Sequence, residues 1–146
     1  MTTRVHTYTS AALGGIIYAI TDSWQAAVST LIAGVFIDID HIFDFLMFSG
    51  ERLTMRNFTS WCDEMKWNKI TLIFHSYELF IVLGFIAYYS GSKTATGILC
   101  GAVFHVLLDQ TGNLRKSRLS QWFYFLTYRI IQGFKKDNLK IKDEGG

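Results

Sequence analysis

The chain has 146 residues, half of them hydrophobic, 16% aromatic and only 18% charged, with a net charge of +2. A disordered polar chain is excluded, and so is a strongly basic nucleic-acid binder. Two cysteines with no CxxC spacing exclude a disulfide scaffold and a zinc ribbon. The length fits one domain.

Apolar stretches dominate the chain in order. Thr7–Ile20 and Ala95–Leu108 are uncharged and carry small residues (Gly14, Gly15, Gly97, Gly101) at spacings used where helices pack closely. Trp24–Phe48 reaches bilayer length only by including Asp38, Asp40, His41 and Asp44, and Ile70–Tyr89 only by including His75 and Glu78. These runs predict an all-α fold, a bundle of four transmembrane helices. The alternative is a helical bundle of unusually apolar helices that crosses no membrane.

Four spans would put thirteen of the fourteen Lys and Arg on one side, leaving Lys93 opposite. By the positive-inside rule both termini are then cytoplasmic, in an inner-membrane protein. The N-terminal stretch has no clear small-x-small cleavage site before Asp22, so no cleaved signal peptide is expected. Two segments read as amphipathic helices that either lie at the membrane interface or pack on the bundle. In 119–134, Leu119, Trp122, Phe123, Leu126, Ile130 and Phe134 share one face, with Ser120, Gln121, Arg129 and Gln132 on the other; in the 49–69 loop, Met55, Phe58, Trp61, Cys62 and Met65 make a similar stripe. Residues 1–134 thus form the membrane domain, and 135–146 a solvated, frayed tail.

The ionisable residues inside these runs are not scattered. His6, the Asp38–Asp44 group, the pair His75 and Glu78, and the pair His105 and Asp109 all fall at one end of the predicted bundle. Within each element they are three or four residues apart, so they project from a common helical face. Helix bundles build metal sites this way, and a shared cation explains how several buried carboxylates stay ionised. His6, Asp38, His41, His75, His105 and Asp109 are the candidate ligands of a divalent metal, for which imidazole with carboxylate suits zinc best, with manganese or iron as alternatives. Glu78 and Asp40 are candidate general base or acid. Arg52 and Arg56, in the 49–69 loop, can hold an anionic headgroup or can serve topology alone.

In order, the motifs are His6 before a Gly-rich helix, Gly34-Val-Phe-Ile-Asp38-Ile-Asp40-His41, Phe74-His75-Ser76, and His105-Val-Leu-Leu-Asp109-Gln-Thr111-Gly112. This set resembles the YdjM-like family of bacterial inner-membrane proteins over most of residues 6–112. The family's usual Pro before the first acid is replaced here by Ile37, and its His-Arg-Gly stretch by Trp67-Asn68-Lys69-Ile70-Thr71. The resemblance implies a helical membrane fold and metal-dependent hydrolase activity. The HxxxD element is also similar to zinc-dependent phospholipases C, which implies phosphodiester chemistry. The expected partners are membrane lipid and a lipid or phosphoester substrate, with no nucleic acid; the oligomeric state is not legible. A second class is a non-enzymatic protein that binds or conducts a cation or proton through the Asp/His cluster. A third is a docking protein built on its aromatic helices, which would hold no metal.

Overall fold

The computed structural model describes residues 3–64, 66–117 and 119–141. It is built from helices: α1 (Thr3–Thr21), α2 (Trp24–Phe36), α3 (Ile39–Phe48), α4 (Met55–Asp63), α5 (Tyr77–Ser90), α6 (Lys93–Ser117), α7 (Leu126–Ile131) and the short α8 (Lys136–Leu139), with a 3-10 turn at Gln121–Tyr124. Met65 of the expected loop stripe, Arg118 and Lys142 lie outside the described residues.

Short turns join α1 to α2 and α5 to α6. Ser23 caps α2, its hydroxyl accepting from the Ala26 N–H at 3.3 Å. Gly91 closes α5 in the left-handed conformation (φ 60°), which costs glycine nothing. α2 packs most extensively on α6 and next on α1.

Small residues at four-residue intervals make those contacts close. On α6, Gly97 and Gly101 lie against Ala26 and Thr30 of α2. A Cβ on Gly97 would come within 2.3 Å of the Ala26 carbonyl oxygen, and one on Gly101 within 2.2 Å of that of Thr30. Three ladders of period four therefore face one another: His6-Ser10-Gly14 on α1, Ala26-Thr30-Gly34-Asp38 running out of α2, and Gly97-Gly101-His105-Asp109 on α6. Rows of this period are the ridges that interlock where helices pack.

The remaining elements cover the end of this three-helix unit that bears His6, Asp38, His105 and Asp109. Phe45, Trp61, Trp67, Ile70, Leu72, Leu119, Phe123, Tyr124 and Leu139 form a buried cluster there with Val106 of α6. Phe45 meets Trp61 edge to face at 5.5 Å. Residues 134–136 run antiparallel to 68–70, with the Ile70 N–H bonded to the Phe134 carbonyl and the Lys136 N–H to that of Asn68. A second antiparallel contact pairs Leu119 with Lys140.

Several expectations are corrected. No helix among the described residues is long and apolar enough to cross a membrane. The transmembrane bundle, and with it the inner-membrane location and the cytoplasmic placement of both termini, is overturned. The run Trp24–Phe48 breaks at Ile37–Asp38 into helices of 13 and 10 residues. Ile70–Ser76 is irregular, so the third run shrinks to the 14 residues of α5. α1 and α6 are longer, at 19 and 25 residues, but their ends are polar: Thr3-Arg4-Val5-His6-Thr7 begins one, and Asn113-Leu114-Arg115-Lys116-Ser117 ends the other.

The segment 119–134 is not one amphipathic helix. It is a 3-10 turn, an extended Phe125 and a short α7. Trp122 and Ile130, assigned to its apolar face, are exposed, while Arg129, assigned to its polar face, is buried. In α4, Trp61 is buried as the stripe requires, but Met55 is exposed. Residues 135–140 are docked rather than frayed, with Leu139 fully buried.

Candidate metal centre

The two ladders that end in ligands deliver three of them. His105 and Asp109 occupy successive turns of α6, beyond the two glycines that bring it onto α2. Asp38 follows one turn after Gly34, where α2 has ended. It stands at the first boundary of α3, yet its carboxylate does not cap that helix. It turns instead to the histidines, with its Oδ1 3.2 Å from His105 Nε2, 3.5 Å from His75 Nε2 and 3.7 Å from His41 Nε2.

His75 arrives by another route. It sits in the irregular stretch before α5, and that stretch is pinned by carboxylates of α3. Asp44 accepts from the backbone N–H groups of Thr71 (2.8 Å) and Leu72 (3.3 Å) and from the Thr71 hydroxyl. Asp40 accepts from the Phe74 N–H at 3.0 Å. Asp40 and Asp44 are four residues apart on α3, so one helical face holds the loop that carries the ligand.

Both buried imidazoles have a fixed orientation. His105 Nδ1 donates to the Gly34 carbonyl at 2.7 Å, and His75 Nδ1 faces the Asp40 carboxylate at 3.1 Å. Donation from Nδ1 leaves Nε2 as the coordinating nitrogen, the usual orientation of metal-bound histidine. Both Nε2 atoms are buried and lack a hydrogen-bond partner. Each faces the same two carboxylates: Asp109 Oδ2 lies 3.5 Å from His105 Nε2 and 3.7 Å from His75 Nε2.

These separations fit a cation. Ligand atoms bonded to one tetrahedral ion at about 2.0–2.1 Å stand about 3.3–3.4 Å apart. Four ligand pairs here span 3.2–3.7 Å. One ligand atom from each of Asp38, His75, His105 and Asp109 lies within 4.8 Å of the others, a group that can hold a metal ion. Asp40, His41 and His75 make a second, overlapping group.

His6 belongs to the surroundings. Its Nε2 is 3.0 Å from Asp109 Oδ1, and its ring stacks on His105 with centroids 4.0 Å apart. It pairs with Oδ1 of Asp109, whereas His75 and His105 face Oδ2. Of the four central side chains only Asp38 has much solvent contact, at 31%, and His41 beside it has 22%. The cluster opens to solvent at these two residues.

Electrostatics match the geometry. Burial opposes charge on His75, but the carboxylates of Asp38 and Asp40 outweigh it and raise its pKa to about 9. Burial is likewise overcome at His105 by Asp109 and Asp38, which raise it to about 10. The partial burial of Asp38 and the burial of Asp109 would alone raise them, yet the neighbouring histidines hold both well below the usual carboxylate range. His41 shifts the other way. Burial and then the charge of His75 lower its pKa.

The two residues expected to serve as base or acid have partners of their own. Asp40 orients His75. Glu78 accepts from the N–H groups of Leu126 and Thr127, both at 2.9 Å, and so anchors the start of α7. Those bonds outweigh its partial burial and lower its pKa. Ser76, beside His75, donates to the Ile73 carbonyl at 2.6 Å and shapes the loop. Sequence reasoning missed Arg129, whose Nη2 donates to the His75 carbonyl at 3.3 Å. The helical periodicity around it pointed outward, so no local signal marked it. No family model, curated protein or solved structure matches the chain.

Proposed function

We propose that the chain is a metal-dependent hydrolase of esters or phosphoesters, with a zinc ion held by Asp38, His75, His105 and Asp109. The observation that carries this reading is the pair of buried, unpartnered Nε2 atoms facing two carboxylates at the edge lengths of a coordination tetrahedron. When bound, such an ion supplies Lewis acidity towards water and a substrate oxygen. Mixed imidazole and carboxylate donors favour zinc over softer or harder cations.

The chain's own residues have separate tasks in this reading. Asp40 and Gly34 hold the Nδ1 protons of His75 and His105, and His6 holds one oxygen of Asp109. Substrate approaches where Asp38 and His41 meet solvent. His41, whose lowered pKa keeps it neutral, takes a proton from the nucleophile there. The HxxxD and DxDH motifs, which resemble those of the YdjM-like family, are the parts of the sequence that supply this arrangement.

The test begins with elemental analysis of purified protein, expected to show one zinc per chain that a chelator removes. Hydrolysis is then followed on bis(p-nitrophenyl) phosphate, p-nitrophenyl acetate and a phospholipid in mixed micelles. Turnover on at least one of these should vanish in Asp109→Asn and on metal removal. Zinc bound tightly with no turnover on any of them would leave a cation-binding protein and end the hydrolase reading.

A further inference from the structure

Arg129 is the largest fully buried side chain among the described residues, at 0% exposure. Its Nη2 holds the His75 carbonyl, its guanidinium lies over the Phe123 ring at 5.4 Å, and its Nε and Nη1 have no hydrogen-bond partner. Burying a guanidinium costs several kcal/mol unless opposite charge is close by. The opposite charges that act on it are those of Asp40 first, then Glu78 and Asp44. Asp40 is the carboxylate that receives His75 Nδ1, and its other oxygen is also buried without a partner. Arg129 therefore reaches His75 twice. It bonds the backbone directly, and it acts on the ring through the charge of Asp40. Glu78 completes the chain of support, since it fixes the first turn of the helix that carries Arg129.

We infer that Arg129 is a positioning residue of the metal centre: by holding the His75 carbonyl and balancing Asp40, it keeps the His75 ring turned with Nε2 towards Asp38 and Asp109. This rests on the metal-binding reading above. A buried arginine that serves stability alone would behave differently, because its replacement by an apolar side chain of similar length would alter folding and leave ligand geometry unchanged. Such replacements of buried ions are often tolerated.

The experiment is a cobalt(II) titration followed by visible absorption on the full chain, with urea midpoints measured in parallel. Arg129→Met is expected to fold and to bind cobalt about 10–100-fold more weakly, the usual loss for an outer-sphere partner, with a shifted ligand-field band. Arg129→Lys keeps the charge and should recover most of the affinity. Equal affinity and an unchanged spectrum in Arg129→Met overturn the inference. Failure of the unsubstituted chain to bind cobalt defeats the metal reading itself, a separate outcome. If Arg129→Met does not fold, Arg129→Gln and Asp40→Asn carry the test. Both act through one ring, so their combination should weaken binding by less than the product of the single effects. Independent effects overturn the inference.

Discussion

Gly101→Ala tests whether helix spacing sets the site. The new Cβ would lie 2.2 Å from the Thr30 carbonyl oxygen and 2.9 Å from the Gly34 nitrogen, against an ordinary contact of 3.4–4 Å. Both obstacles are backbone, so no side chain can swing aside, and α6 must withdraw from α2 by roughly 1 Å. Overpacking of this kind costs about 1–3 kcal/mol, while the gain in helix propensity returns at most about 1 kcal/mol. The same withdrawal stretches the His105–Gly34 bond from 2.7 Å towards the limit for a hydrogen bond, and opens the Asp38–His105 pair from 3.2 Å to beyond a tetrahedral edge. Net stability should fall by up to about 2 kcal/mol in urea denaturation, and cobalt affinity by about tenfold or more. Gly15→Ala is the control, because a Cβ there meets nothing within 4 Å. If Gly101→Ala bound cobalt as tightly as Gly15→Ala, with the same stability, the argument from helix contact would be wrong.

Three other expectations follow from the electrostatics and from Glu78. With His75 raised to about 9 and His105 to about 10, both imidazoles of metal-free protein are protonated at pH 7, and an incoming ion must displace about two protons. Competition at about 1.4 kcal/mol per pH unit weakens binding at pH 7 by about 3 kcal/mol through His75 and about 4 through His105. Calorimetry of zinc binding in buffers of different ionisation enthalpy should show the proton release at pH 7 and its disappearance above about pH 10; a release near zero at pH 7 refutes it. The sign for folding is the reverse. The raised imidazoles stabilise metal-free protein below their unfolded pKa of about 6.5, and that contribution is lost as pH rises through about 9 and 10. The depressed carboxylates of Asp38 and Asp109 contribute above about pH 4 and lose their effect as pH falls. Urea midpoints of chelator-treated protein should therefore decline on both sides of the interval from about pH 4 to 6.5. Glu78→Ala removes the acceptor for two N–H groups of α7 and should cost about 1–3 kcal/mol. Unchanged stability would show that α7 needs no such anchor.

The legible part of this protein is the part that local periodicity controls. Three- and four-residue spacing put Asp38 with His41 and His105 with Asp109 on common helical faces, and all of them fall at one end of the predicted helices, so convergence of the cluster could be read without coordinates. What escaped is set by partners distant in the chain. The apolar run Ile70–Phe74 reads as the start of a helix, but Asp40 and Asp44, 27 to 34 residues earlier, take its backbone N–H groups and hold it irregular. Counting apolar residues cannot see that break or the one at Ile37–Asp38, and the expectation of membrane spans failed on both. Glu78 looked catalytic because it is one helical step from His75, yet it is drawn away by α7. Arg129 was hidden for the complementary reason. Its helix is too short for periodicity to mean much, and its burial is decided by Phe123 and by the carboxylates of α3.

The turns at Asp22–Ser23 and Gly91–Ser92 lie at the end of the molecule remote from the ligands. Fifteen residues of α1 separate His6 from Thr21, and twelve of α6 separate Lys93 from His105, or about 18–22 Å at 1.5 Å per residue. Chemistry at the far tip is indifferent to how those corners are made. They are the natural places to lengthen, tag or cut and rejoin the polypeptide, whereas the stretch from Trp67 to Ser76 tolerates no insertion without moving His75.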